Sequence, residues 1–285
     1  MRSEPHERVQ RLRQSELPDY WAGLSDRHLS QADNGLSVVC YAGMPAWFNR
    51  LMDRYQWKAF LRLLRGEDFS RQRVLDIGTG VGRWARWYAT WPGAESVGID
   101  IEAKRLLYAR GFGDAVTYCQ TSASKLPFED GAFEVVNCVT VLQHVDDETK
   151  LQAIAEMQRV LRPGGKAIMF EFSGLRDDAP NVFPWSREQW LRSFHERGFK
   201  LCRTVGDQYT PLLRMIRAVH PAWRGARSRY EIDAITAPSG PAAASSRALR
   251  GVLRLAVAAS YPLEEVCRFL PLRLARITGY LWRRT

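Results

Sequence analysis

Three things are scarce in this 285-residue chain, and each scarcity excludes a class of protein. Its five cysteines, Cys40, Cys119, Cys138, Cys202 and Cys267, are scattered and include no C-x-x-C pair. An odd number at such spacing fits neither a zinc site nor a disulfide framework, so reduced thiols and no bound metal are expected. No apolar run approaches the roughly 18 uninterrupted residues that a membrane-spanning helix needs. The amino terminus, Met1 to Arg8, is charged and lacks the apolar stretch of a secretory signal, which points to the cytoplasm. Lysine is missing from residues 212–285, which carry 13 Arg against four acids, a net charge of +9. The other 211 residues carry only +1 of the total of +10, so the basic character belongs to the last quarter of the chain. Apolar residues make up 46%, enough for a real core, and the length suits one large domain with an elaboration or two small ones.

The richest stretch is Val74-Leu75-Asp76-Ile77-Gly78-Thr79-Gly80-Val81-Gly82-Arg83-Trp84-Ala85, which reads as a buried strand, a glycine-rich turn and the start of a helix. A dinucleotide fingerprint wants G-x-G-x-x-G. Here the third glycine comes one residue early and Arg83 stands where the dinucleotide glycine should be. Such a turn suits a ligand without phosphate, such as an adenosyl amino acid. A second apolar run, Ser96-Val97-Gly98-Ile99-Asp100, ends in an acid 18 residues after Gly82. A carboxylate at the end of a parallel strand can accept both hydroxyls of a ribose.

D-x-G-x-G-x-G after an apolar run resembles the first motif of class I S-adenosylmethionine-dependent methyltransferases, in the small-molecule branch that acts on quinones and sterols. Four further segments come in the order of that family. They are the run ending at Asp100, then Thr121-Ser122-Ala123-Ser124-Lys125-Leu126-Pro127-Phe128, then Val139 to Val145, and Leu161-Arg162-Pro163-Gly164-Gly165. The resemblance covers residues 73–173 and implies S-adenosylmethionine as cofactor, met by Asp76, Gly78, Thr79, Gly80, Gly82, Asp100, Ile101, Ser122, Ala123, Val139 and Gln143. Ser122 stands where the family usually has an acid that meets the adenine amino group; its hydroxyl accepts more weakly.

Strands alternating with helical patterns imply an α/β fold, a Rossmann-like seven-stranded mixed sheet with helices on both faces. The expected organisation is an N-terminal helical cap at 1–70, a methyltransferase core at 71–210, a basic helical insertion at 211–276 and a closing strand of the core sheet at 277–285. In the cap, Trp47, Phe48, Leu51, Met52, Tyr55, Phe60, Leu61, Leu63 and Leu64 recur at helical spacing, with Tyr20-Trp21 and Tyr41 expected in the joints. Ser186-Arg187-Glu188-Gln189 fits a capping box. Within the insertion, residues 246–260 and 269–277 read as amphipathic pieces with arginine on one face.

Transfer of a methyl group from a sulfonium mainly requires alignment. A hydroxyl or carbon acceptor also needs a base, and His144, just past the fourth strand, is the expected candidate. Tyr41 and Glu171 are the expected substrate-pocket residues. The (Asn/Asp/Ser)-Pro-Pro-(Tyr/Phe) tetrapeptide of amino-methylating nucleic acid enzymes and the Pro-Cys pair of cytosine-carbon enzymes are both missing after strand four. A small or lipid-linked acceptor, methylated on carbon or oxygen, is therefore expected, with peripheral membrane contact through residues 245–284. Two readings stay open beside it: an RNA methyltransferase gripping its substrate through the arginine-rich region, although nucleic acid is not the expected partner, and a binding module that keeps the fold without the reaction.

Overall fold

The computed structural model describes residues 11–42, 46–173, 180–209 and 261–285. Seven strands form one sheet: β1 (Arg73–Ile77), β2 (Glu95–Asp100), β3 (Val116–Gln120), β4 (Phe133–Val139), β5 (Leu161–Phe172), β6 (Phe199–Asp207) and β7 (Ile277–Arg284). Their order is β3-β2-β1-β4-β5-β7-β6, with β7 antiparallel to both neighbours and β1 to β5 paired in parallel. The sheet is the seven-stranded mixed one that the sequence leads one to expect. The strand order reverses between β1 and β4, and open α/β sheets hold ligands at the carboxyl ends of the strands on either side of such a switch.

The strands are apolar on both faces because helices cover both. In β1 and β4, Leu75, Phe133 and Val136 face α6 (Asp147–Val160) and α7 (Arg187–His195), packing with Ile154, Met157, Trp190 and Phe194. Val74, Val135, Ile168 and Phe170 face the other way, onto Phe60 and Leu63 of α3 (Ala46–Leu63) and Trp84 and Tyr88 of α4 (Arg83–Tyr88). Each such side chain contributes roughly 1.5–3 kcal/mol by leaving water. Helix α5 (Ala103–Arg110) covers β2 and β3. The capping box forms: Gln189 N–H donates to Ser186 Oγ, and Ser186 N–H donates to Gln189 Oε1. Helix α6 is capped by Asp146, whose carboxylate accepts from Thr149 N–H.

The N-terminal region is helical, with α1 (Leu17–His28) and α2 (Leu36–Val39) preceding α3. Tyr20 and Trp21 lie inside α1 rather than in a joint, because Pro18 in its first turn starts the helix ahead of them. The segment 246–260 lies outside the described residues. Helix α8 (Tyr261–Cys267) and a single 3₁₀ turn, Leu272–Leu274, come next along the chain. The expected amphipathic piece at 269–277 is not a helix: Pro271 is extended, Ala275 is extended, and Ile277 already belongs to β7. Proline removes a helical N–H donor and clashes with the preceding turn, which ends the run of helical spacing.

Candidate functional site

The turn after β1 is built around glycine because nothing larger fits. Gly78 has φ +62°, and a Cβ there would stand 2.3 Å from Val141 Cγ2; Gly80, at φ +55°, would meet Val39 Cγ1 at 2.6 Å. Both line a cavity of about 440 Å³, as does Thr79 between them. Asp76 lies behind this turn rather than in the cavity. It is fully buried and accepts from Thr79 Oγ1 (2.6 Å), Asn137 Nδ2 (2.7 Å) and Ala85 N–H (3.1 Å). Burial pushes its carboxyl up to about 6, and the three donors oppose that rise. Gly82 also misses the cavity; it precedes α4 at φ +74°, where a Cβ would collide with the Tyr118 hydroxyl. Asp76 and Gly82, expected at the cofactor, thus shape the turn that lines the cavity.

Asp100, at the end of β2, lines the cavity and ties it to the turn. Its Oδ2 accepts from Gly80 N–H at 2.8 Å and its Oδ1 from Glu102 N–H at 2.9 Å. Burial raises its pKa, and the Arg105 guanidinium works against that rise. Ile101, Ser122 and Ala123 continue the same wall. Ser122 Oγ pairs with Ser124 Oγ at 2.9 Å. Arg105, which sequence reasoning missed, also lines the cavity. Its Nε donates to Ser25 Oγ at 3.1 Å, its guanidinium stands 5.1 Å from the Trp21 ring, and its Nη2 is buried without a hydrogen-bond partner among the described residues. Helix α1 is thereby held over the cavity as a roof, with Tyr20, Trp21 and Leu24 on its underside.

Past β4 the chain bends through Thr140 at φ +57° and the 3₁₀ turn Leu142–His144. Val139, Gln143 and His144 reach the cavity wall. The His144 Nδ1 is 2.8 Å from the Asn181 carbonyl oxygen, which only accepts, so Nδ1 carries the proton. Gln143 Oε1 accepts from Phe172 N–H, which turns its amide nitrogen toward His144 Nε2 at 3.1 Å. The Gln143 amide thus meets the imidazole at Nε2. The cap of the next helix is Asp146, not His144. Glu171, expected in the substrate pocket, is fully buried and does not reach it. It accepts from the N–H groups of Val141 (3.0 Å), Leu142 (2.8 Å) and Gln143 (3.0 Å), and so fixes the turn that carries His144. Burial pushes its carboxyl up to about 7. Strand alternation alone does not separate this role from a pocket one.

Tyr41 does line the cavity, at the end away from Asp100, where Phe172, Gln208 and Ile277 join it. Gln208, Phe172 and Ile277 carried no motif signal, whereas Thr140 lies within the Val139 to Val145 segment. The left-handed φ of Thr140 and Gln208 is invisible to a reading that looks for glycine in such positions. Of the expected residues, the structure brings Tyr41, Gly78, Thr79, Gly80, Asp100 and Ile101 to one cavity, together with Ser122, Ala123, Val139, Gln143 and His144. Asp76, Gly82 and Glu171 stand one layer behind.

Residues 75–169 match the family described as "Methyltransferase domain". The ubiquinone/menaquinone biosynthesis C-methyltransferase UbiE of Hahella chejuensis is 40% identical over 108 residues, covering 35% of this chain and 43% of that protein. UbiE of Stutzerimonas stutzeri is 38% identical over 173 residues, 58% of this chain and 65% of that protein. The chain thus spans about half to two thirds of these relatives. Among solved structures, an S-adenosylmethionine-dependent methyltransferase from Mesorhizobium loti aligns with TM-score 0.54 at 16% identity, over 82% of this chain and all of that one. The [4+2]-cyclase SpnF aligns with TM-score 0.57 at 19% identity, over 98% and 99% of the two chains. These two likenesses show the fold alone.

Proposed function

We propose, from the premise that residues 75–169 are a methyltransferase domain of the class I S-adenosylmethionine-dependent type, that this protein transfers a methyl group from S-adenosylmethionine to a carbon or hydroxyl of a small, quinol-like acceptor. The observation that carries the reading is the cavity itself: it lies at the strand switch point, floored by a turn that admits only glycine and walled by the buried Asp100 carboxylate. The cradle fits the cofactor. Each Asp100 oxygen spends one lone pair on a backbone N–H and keeps another for a ribose hydroxyl. Gly78 and Gly80 would let the ligand lie against bare backbone, and Ser122, Ala123, Val139 and Gln143 would line the rest of its cradle. Trp21 and Leu24 exclude water from above. When bound, the cofactor supplies an electrophilic methyl group on a sulfonium.

Alignment is the main task left to the protein, worth as much as about 7–11 kcal/mol in well-oriented reactions. His144 Nε2 takes the acceptor proton after its Gln143 contact opens, with the Asn181 carbonyl steadying the imidazolium through Nδ1–H. The likeness to UbiE, a C-methyltransferase of ubiquinone and menaquinone biosynthesis, supports carbon as the atom methylated. The test is transfer of labelled methyl from S-adenosylmethionine to quinols lacking a ring methyl, with His144→Ala beside the wild type. Label in the quinol, reduced about 10²–10⁴-fold by the variant, is expected; no label in any quinol from a folded, cofactor-binding protein contradicts the reading.

We also propose that the acceptor is met at an anionic lipid surface. Leu263, Val266, Phe269, Leu270 and Leu274 are exposed, Phe269 by 77%, beside Arg268 and Arg273. Apolar side chains set among arginines suit a headgroup layer. No helix of the described residues is long and apolar enough to cross a membrane. Sedimentation with phosphatidylglycerol vesicles, and not with phosphatidylcholine vesicles, is expected; equal recovery in both supernatants contradicts the docking.

A further inference from the structure

At the end of the cavity away from Asp100, three polar side chains from distant parts of the chain meet. The Tyr41 hydroxyl donates to Gln208 Oε1 at 2.6 Å and accepts from Arg276 Nη1 at 3.3 Å. The Arg276 guanidinium also stands 5.5 Å from the Tyr41 ring centre and 5.0 Å from that of Phe172. Arginine only donates, so the phenol oxygen serves it as acceptor, and the phenol proton is left to go to Gln208. That fixes the amide: its carbonyl turns to Tyr41 and its NH₂ turns away. Gln208 lines the cavity and is 4% exposed. Its amide nitrogen has no partner among the described residues, and it is not among the atoms sealed from solvent. Gln208 moreover holds φ at +55°, a left-handed conformation that costs a residue with a Cβ about 1–2 kcal/mol and glycine almost nothing. A buried glutamine that lines the cavity is kept strained, with the carbonyl of its amide tied to Tyr41 and the NH₂ without a partner among the described residues.

We propose that Gln208 is a specificity-determining residue whose amide NH₂ donates to an oxygen of the acceptor, with Tyr41 and Arg276 as positioning residues. The ligand class is an aromatic ring bearing a hydroxyl, phenolate or carbonyl oxygen. The chain Arg276 to Tyr41 to Gln208 runs from a cation, so each donor polarises the next and the last N–H becomes a better donor. The assignment rests on the methyl-transfer reading in calling the ligand an acceptor and in giving it an aromatic ring.

The test uses two probes that differ by one hydroxyl, 2-naphthol and naphthalene, titrated by fluorescence into protein saturated with S-adenosylhomocysteine. The wild type is expected to prefer 2-naphthol by about 5- to 10-fold, the range of one hydrogen bond. Gln208→Gly removes the amide and suits the backbone conformation, so its melting temperature is expected to hold or rise while the preference disappears. Gln208→Leu, which keeps the bulk, is expected to lose the preference too, and Tyr41→Phe to weaken it by releasing the amide. A wild type that holds S-adenosylhomocysteine but shows no preference overturns the assignment, as does a Gln208→Gly protein that keeps it. A wild type that fails to hold S-adenosylhomocysteine counts against the methyl-transfer reading instead, and the probe preference, read on the protein alone, then still decides Gln208.

Discussion

At the Asp100 end of the cavity the polar groups come from one stretch of chain, the turn after β1 and the ends of β2 and β3. At the opposite end they come from Tyr41, Gln208 and Arg276, with 167 positions between the first two and 235 between the first and last. The first end is made by backbone: glycines at positive φ, N–H groups on a carboxylate, strand ends set by the sheet. The second is made by side chains that the closed sheet brings together, since β6 delivers Gln208 and the run into β7 delivers Arg276. In the proposed function, the cofactor common to many enzymes belongs to the local, backbone-built half, and the half that must differ from one acceptor to the next is the one assembled at long range from replaceable side chains.

The two halves can be broken separately, and the largest effect lies at their shared support. Glu171→Ala strands three N–H groups, two of them buried and one part-buried, at about 1–3 kcal/mol each, so a loss of roughly 3–9 kcal/mol is expected in denaturant unfolding, with both halves weakened. Next comes Gly78→Ala, whose new methyl collides with Val141 in a left-handed backbone. About 2–3 kcal/mol of overpacking and strain corresponds to a roughly 30- to 150-fold loss of S-adenosylhomocysteine affinity by calorimetry. An affinity within twofold of wild type would mean that the turn does not touch the cofactor.

A smaller effect is expected from pH. The folded protein holds the Glu171 proton up to about 7, against an ordinary value of 4.5 that the unfolded chain keeps. The folded state binds more protons in that window, so this group makes stability fall as pH rises from 4.5 to 7. Urea unfolding at several pH values is expected to show a shallower fall for Glu171→Gln; an identical slope removes Glu171 as its source. The smallest effect is expected at the far half. Tyr41→Phe removes one hydroxyl and is expected to raise the acceptor KM about 3- to 10-fold, with S-adenosylhomocysteine affinity unchanged. If cofactor affinity falls instead, the two halves are not separable.

The same contrast explains what was legible in the sequence. Gly78, Gly80 and Asp100 announce themselves because a turn and a strand end are local, and glycine is the residue such a backbone requires. The seventh strand was legible from its own apolar run, but Asp76 and Gly82 carry the same motif signal while standing behind the wall. Glu171 shows the limit most sharply: an acid at the end of a strand reads as a pocket residue, and only the fold reveals three N–H groups converging on it. Gln208 has no local signature, because its meaning comes from a tyrosine and an arginine far away in sequence and from a backbone angle that its residue type does not suggest. Pro271 was readable as a helix breaker, yet the arginine spacing around it suggested a helix.

The most direct measurement is calorimetric titration of S-adenosylhomocysteine into the wild type and Asp100→Ala. The account predicts a saturable site in the wild type and an affinity at least about 100-fold lower in the variant, since two bonds to a charged carboxylate are worth about 1.5–3 kcal/mol each. Equal affinities in the two proteins, or no binding by a folded wild type, would contradict it.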